Sequence, residues 1–211
     1  MKTDKPSRRK KPSAAGIVCS EWAALPTAAG PWRIFAFRER AERRSANAHV
    51  ALVCGDIAGK ARIPVRIHSE CLTGDAFGSK KCDCGPQLKL AMRLIRRIGR
   101  GMVIYLRQEG RGIGIFDKVR AYHLQDQGAD TVEANRLLGL PVDARDYRAA
   151  ADLLRLLDIR SVRLLTNNPD KLKSLRRAGI RVSERLPLIT RPTKENRGYL
   201  RTKKSRLRHA L

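Results

Sequence analysis

Between Trp32 and Ile189 the hydrophobic pattern changes period again and again, from strand-like to helical and back, and this limits the chain to an α/β architecture. Trp32–Phe37 alternates partly like a strand, Val50–Cys54 is a short apolar run ending at the Gly55-Asp56 turn, and Ile63–His68 alternates again with Pro64 near its start. Gln87–Ile98 then shifts to helical spacing, with Leu88, Ala91, Leu94, Ile95 and Ile98 on one face and Gly99 and Gly101 as stops. Met102–Leu106 reads as a buried strand, Ile113–Gln125 and Val132–Leu138 as helices, and Tyr147–Leu157 as a helix facing inward through Ala150, Leu153, Leu154 and Leu157. Val162–Leu165 is a further strand. Asn168 then caps a helix with Pro169 at its first position, ended by Gly179. A strand over 180–189 and a basic terminal helix complete the pattern. The expectation is a mixed sheet flanked by helices in one folded domain over residues 26–190, with a flexible basic leader over 1–25 and a basic helix or tail over 191–211.

The 211 residues carry 45 Lys and Arg against 20 Asp and Glu, a net charge of +25. Residues 1–12 hold +5 of it and 191–211 hold +7, so +13 remains on the body. Such a body attracts polyanions. Aromatics are only 5% of the chain and no finger, zipper or RNA-recognition signature occurs, so a small phosphate-bearing ligand is favoured. Nucleic-acid binding by the basic tails has no motif behind it, and the tails read as solvated. No apolar stretch approaches the ~20 residues of a bilayer span, which argues against membrane insertion. The leader lacks the apolar segment of a secretory signal, which points to the cytoplasm, a reducing compartment in which the five cysteines stay free or bind metal.

Cys71, Cys82 and Cys84 form a C-x10-C-x-C cluster. Three thiolates suit zinc, Lys80 and Lys81 favour the deprotonated form, and Gly85 offers a sharp turn. A three-ligand site keeps a position for water, whereas a closed structural site needs a fourth ligand. Cys19, in the leader, and Cys54, at a strand end, read as ordinary residues. The alternative for the trio is buried, unrelated thiols. Gln108–Gly114 is a glycine-rich turn between strand and helix, and Thr166–Lys171 repeats that geometry with a lysine one turn in; both suit an anion. Asp143 or Asp146 is either an acid–base group or a cap for the Tyr147 helix. Tyr122 is either functional or core, and His68 either sits behind the metal ligands or is a satisfied strand histidine.

Five separated blocks together resemble GTP cyclohydrolase II, the family that opens guanine nucleotides at the start of riboflavin biosynthesis. They are His68–Asp75, Cys82–Leu88, Arg107–Gly114, Asp126–Asn135 and Leu165–Pro169, and the resemblance runs from about Leu25 to Tyr199. It implies a cytoplasmic homodimeric hydrolase that uses zinc and, with the triphosphate, magnesium. The family converts GTP to 2,5-diamino-6-(5-phosphoribosylamino)pyrimidin-4(3H)-one, formate and pyrophosphate; some forms stop at the formamide. Cys71, Cys82 and Cys84 match its zinc ligands, and Asp143 its general base. Arg145 matches a residue held to attack the α-phosphorus, and Tyr122 one needed for the ring chemistry. Arg66, Ile67, His68, Ser69, Glu70, Gln87, Glu109, Gly110, Arg111, Thr131, Thr166 and Lys171 match nucleotide-binding positions. Arginine gives up a proton too reluctantly to be an easy nucleophile, so a charge clamp is the simpler role for Arg145. Glu109 is expected to accept from guanine N1–H and the 2-amino group. A non-catalytic basic binding protein on the same fold is the rival reading.

Overall fold

A computed structural model describes residues 16–43, 47–207 and 210. Its eight strands are β1 (Ile17–Cys19), β2 (Ala23–Thr27), β3 (Gly30–Glu39), β4 (His49–Cys54), β5 (Ile63–Ser69), β6 (Gly101–Leu106), β7 (Val162–Leu165) and β8 (Val182–Leu186). The helices are α1 (Leu72–Asp75), α2 (Cys84–Ile98), α3 (Gly114–Asp126), α4 (Thr131–Leu137), α5 (Arg148–Leu156), α6 (Pro169–Arg177) and α7 (Arg197–Leu207). All strands join one mixed sheet in the order β1-β3-β4-β6-β5-β7-β8, with β2 beside β1 along the same edge of β3. Pairings from β1 to β6 are antiparallel, and those joining β6, β5, β7 and β8 are parallel. No helix among the described residues is long and apolar enough to cross a membrane.

The sheet carries a core on each face. Alternation along β3 and β6 sends Phe35, Phe37, Met102 and Ile104 to one side, where Leu153 and Leu154 of α5 and Leu175 of α6 cover them. Trp32 and Val103 point the other way, against Ala91 and Ile95 of α2. β5 is buried along nearly its whole length because both faces are covered. The expected leader is shorter than residues 1–25: Ile17–Cys19 and Ala23–Thr27 pair with β3, whose length offers two partners on one edge. There Ile17 enters the core and Pro26 lies in the short outer strand β2, a position open to proline. The basic segment 1–12 lies outside the described residues.

Helix α2 starts earlier than the periodicity suggests, at Cys84, because Pro86 falls in the first turn, where a missing N–H costs nothing. Gly99 closes it in the left-handed conformation. Ile98, expected on the inward face, is exposed at that end. Asn168 caps α6 by accepting from the Asp170 amide at 2.8 Å, with Pro169 first in the helix. Asp143 does not cap α5; Asp146, one residue before the N-cap Tyr147, accepts from the Arg148 amide at 2.9 Å and so satisfies the first free N–H of that helix.

The order β6-β5-β7 makes β5 a switch point: the chain leaves it for β6 on one side and later reaches β7 on the other. Ligands of open α/β sheets bind outside the carboxyl ends of strands at such a point. Leu153 is fully buried between α5 and the sheet. Leu153→Ala is expected to lower stability by about 3 kcal/mol, read from the urea midpoint at unchanged slope.

Candidate active site

The segments leaving β5, β6 and β7 wall one cleft that, together with the open solvent at its mouth, spans about 1080 Å³. Arg66, His68, Ser69, Glu70, the three cysteines, Gln87, Glu109, Gly110, Arg111, Tyr122, Thr131, Arg145, Thr166 and Lys171 all line it. Two expected residues do not. Ile67 is a core side chain and contributes only its carbonyl, which accepts from Lys171 Nζ at 2.8 Å. Asp143 lies behind Arg145, held to its guanidinium (Nε to Oδ1 2.8 Å) and to its amide at 3.1 Å.

The sulfurs of Cys71, Cys82 and Cys84 lie within 4.8 Å of one another. Cys71 and Cys82 are 3.7 Å apart, close to the about 3.8 Å expected of two thiolates on one tetrahedral ion. Two glycines make this approach feasible. A Cβ on Gly74 would sit 2.8 Å from the Cys82 sulfur, and one on Gly85 would sit 2.1 Å from the Gly74 carbonyl. Gly85 therefore serves close contact at the start of α2, not the sharp turn expected of it. Without metal the trio shares protons unevenly. Hydrogen bonds from Cys82 and Cys84, with help from the Lys118 cation, hold the Cys71 thiol far below the usual range, while Cys82 is pushed up to about 11 by Cys71. A divalent cation relieves that conflict by taking all three as thiolates, so the donor set fits zinc. Among the described residues no fourth Cys, His, Asp or Glu joins the group. Cys54 is buried and accepts from Arg96 Nη1 at 3.0 Å, and Cys19 lies in β1.

Behind the cysteines runs a buried hydrogen-bond network. Arg66 donates to the Leu165 carbonyl at 3.1 Å, to Gln87 Oε1 at 2.8 Å and to His68 Nδ1 at 3.3 Å. Arginine can only donate, so His68 Nδ1 accepts and Nε2–H faces Asp75 Oδ2 at 3.0 Å. Burial lowers the His68 pKa and keeps the ring neutral. His68 is thus a satisfied strand histidine that also supports the cysteine loop, since Asp75 accepts from the Cys71 amide at 3.0 Å and from Tyr105 at 2.9 Å.

Glu109 is largely committed. Oε2 accepts from the Leu72 amide at 2.6 Å, and Oε1 accepts from the Gly110 amide and Lys118 Nζ, each at 2.7 Å. One lone pair is left for a ligand, too few for the two guanine donors expected of it. Lys118 also donates to Cys71 Sγ at 3.2 Å and Thr73 Oγ1 at 3.0 Å, and Thr73 meets the Tyr122 hydroxyl at 3.2 Å. Burial keeps the Tyr122 phenol protonated by raising its pKa. Lys118 escaped sequence reasoning although it sits one helical turn before Tyr122, on the same face of α3.

The rest of the cleft is cationic. Burial draws the Arg66 guanidinium down to about 10, still charged at neutral pH. Arg111 sits in the left-handed region at φ 65°, a strained position, and both its terminal nitrogens are buried without a partner. Lys171 is buried, and its pKa falls well below normal through desolvation and the charges of Arg66, Arg145 and Lys203. Burial opposes charge at Asp143 and Arg145 too. Their mutual hydrogen bonds prevail, holding the carboxyl low and the guanidinium high. Arg145 is thereby held as a cation in one orientation, and Asp143 is its anchor. The α7 residues Tyr199 and Lys203, expected in a solvated tail, also line the cleft.

Fold and cleft first define a class: an α/β protein with a thiolate trio and an anion pocket at the carboxyl edge of its parallel strands. Comparison with known proteins narrows this. A family model for GTP cyclohydrolase II matches residues 19–187. The GTP cyclohydrolase-2 of Neisseria meningitidis serogroup A is 56% identical over 187 residues, covering 89% of this chain and 93% of its own. That of Tolumonas auensis is 51% identical over 199 residues, covering 94% and 98%, and that of Picrophilus torridus is 50% identical over 187, covering 89% and 95%. The crystal structure of RibBX, a two-domain 3,4-dihydroxy-2-butanone 4-phosphate synthase from A. baumannii, overlaps 74% of this chain and 35% of its own at a TM-score of 0.38 and 16% identity, too loosely to bear on fold or function. The chain belongs to the GTP cyclohydrolase II family of enzymes.

Asp75 serves three buried donors at once. Asp75→Ala is expected to cost about 3 kcal/mol in urea unfolding, and Asp75→Asn, which keeps one acceptor, less.

Proposed function

We propose that this protein hydrolyses GTP to 2,5-diamino-6-(5-phosphoribosylamino)pyrimidin-4(3H)-one, formate and pyrophosphate, the opening step of riboflavin biosynthesis. The observation that carries the reading is the meeting of a three-sulfur cluster and a set of desolvated cations in one cleft. Cys71, Cys82 and Cys84 hold zinc, which when bound supplies Lewis acidity for water activation beside guanine C8. Magnesium arrives with the triphosphate.

The chain's own residues do the rest. Arg66, Arg111 and Lys171 bind the triphosphate, whose charge satisfies the free Arg111 nitrogens and relieves the crowding of cations around Lys171. Arg145, fixed by Asp143, stabilises charge at the α-phosphorus as a further water displaces pyrophosphate. Tyr122, kept protonated and close to Cys71 through Thr73, donates a proton as the imidazole ring opens to the formamide, and a second water then releases formate. Lys118 stabilises the Cys71 thiolate and orients Glu109, which offers its remaining lone pair to the guanine edge. Thr131 and Thr166 complete the walls. A homodimer in the cytoplasm is the assembly and setting that we propose from the family.

Zinc-loaded protein incubated with GTP and Mg²⁺ is expected to lose the guanine absorbance and to release formate and pyrophosphate in equal yield. Unchanged nucleotide overturns the reading, and pyrophosphate without formate reduces it to a reaction that stops at the formamide. Two substitutions separate the roles. Cys82→Ser should abolish ring opening and lower bound zinc. Tyr122→Phe should slow formate release about a hundredfold or more with zinc content unchanged, measured by formate quantification beside metal analysis.

A further inference from the structure

Helix α7 lies beyond residues 19–187, the segment that matches the family model. It is nevertheless built into the cleft. Asn196 fixes its start, accepting from the Thr193 amide at 2.9 Å. Beyond its end, the Ala210 amide donates to the Asn167 carbonyl at 3.0 Å, in the turn that follows β7. Between these anchors Tyr199 and Lys203 face the cavity, with Lys203 Nζ 4.4 Å from the Tyr199 ring centre.

Lys203 is buried and forms an ion pair with Asp83, which is 1% exposed and stands between Cys82 and Cys84. The other Asp83 oxygen accepts from Gln87 Nε2 at 2.6 Å, and Gln87 Oε1 accepts from Arg66 at 2.8 Å. A single relay therefore runs from α7, through the residue between two sulfur ligands, to a cation of the anion pocket. Asp83 carries a buried negative charge beside a thiolate cluster, and such a charge left without its partner is strongly unfavourable. One turn further along α7, the exposed Arg206 makes a long contact to Asp130 at 3.9 Å.

We infer that Lys203 is a positioning residue: through Asp83 it locks the turn carrying Cys82 and Cys84, and through Gln87 it sets Arg66, so that metal retention and triphosphate binding both depend on α7. The inference rests on the zinc and GTP reading above.

The test compares the full-length parent with Lys203→Met, Lys203→Arg, Asp83→Asn/Lys203→Met and Arg206→Ala, each loaded with zinc. Zinc loss to an excess of a chromogenic chelator is followed, together with KM and kcat for GTP. Lys203→Met should lose zinc about tenfold faster and raise KM. Lys203→Arg should restore most of both properties. Asp83→Asn/Lys203→Met leaves no unpaired buried charge to unfold the protein, and it too should lose zinc faster than the parent. Arg206→Ala should match the parent. Parent-like zinc loss and KM in both Lys203→Met and the double variant overturn the inference while leaving the zinc and GTP reading intact. A parent chain that neither retains zinc nor turns over GTP removes that reading and the inference with it.

Discussion

Three sulfurs drawn to within 4.8 Å of one another are the constraint around which the cleft is arranged. Thiolates repel, and their close approach has to be enforced by the backbone. The Gly74–Gly85 contact does this by letting the loop after β5 press against the first turn of α2. Asp75 anchors that loop from behind, and Lys118 neutralises it from the front. Because β5 is the central parallel strand, the same loop lies at the carboxyl edge, beside the turns that follow β6 and β7. The position of the sulfurs and the position of the anion pocket are consequences of one sheet topology.

Electrostatics gives the two halves of the cleft opposite characters. Around the cysteines, negative groups are balanced one by one: Glu109 by Lys118, Asp75 by the His68 N–H, the Cys71 amide and the Tyr105 hydroxyl, Asp83 by Lys203. Around Arg66, Arg111 and Lys171 positive groups face one another without enough acid among them, and desolvation presses on them further. Cations held in that state favour a multiply charged anion over a neutral ligand. The Asp143–Arg145 pair belongs to neither half: it is internally neutral, and its guanidinium is presented to the cavity in one fixed orientation.

Much of this architecture could be read from the residues. The α/β class follows from alternating periods, and the Asn168-Pro169 helix start and the Gly99 stop are local signals that the fold obeys. The cysteine trio was legible because its members are close in sequence. What stayed hidden depends on long-range partners. Ala23–Thr27 is rich in alanine with one proline and resembles a linker; only the unusual length of β3 makes it a strand. Glu109 looked free for guanine because its donors come from Leu72 and Lys118, which no spacing rule connects to it. Lys203 was masked by the seven other basic residues of the segment 191–211, since charge composition carries no information about which single side chain turns inward.

The bonds that shape the cleft differ greatly in the span of chain they close. The three cysteines lie close together in the chain. Arg66 meets Leu165, Lys171 meets Ile67, and Lys203 meets Asp83 across 99, 104 and 120 residues. During synthesis the thiols therefore emerge from the ribosome well before the residues that build the nucleotide pocket. The residues that hold the cysteine turn from α7 and those that line the anion pocket are made last, so the cleft is completed only when the carboxyl-terminal elements dock onto a sheet already in place.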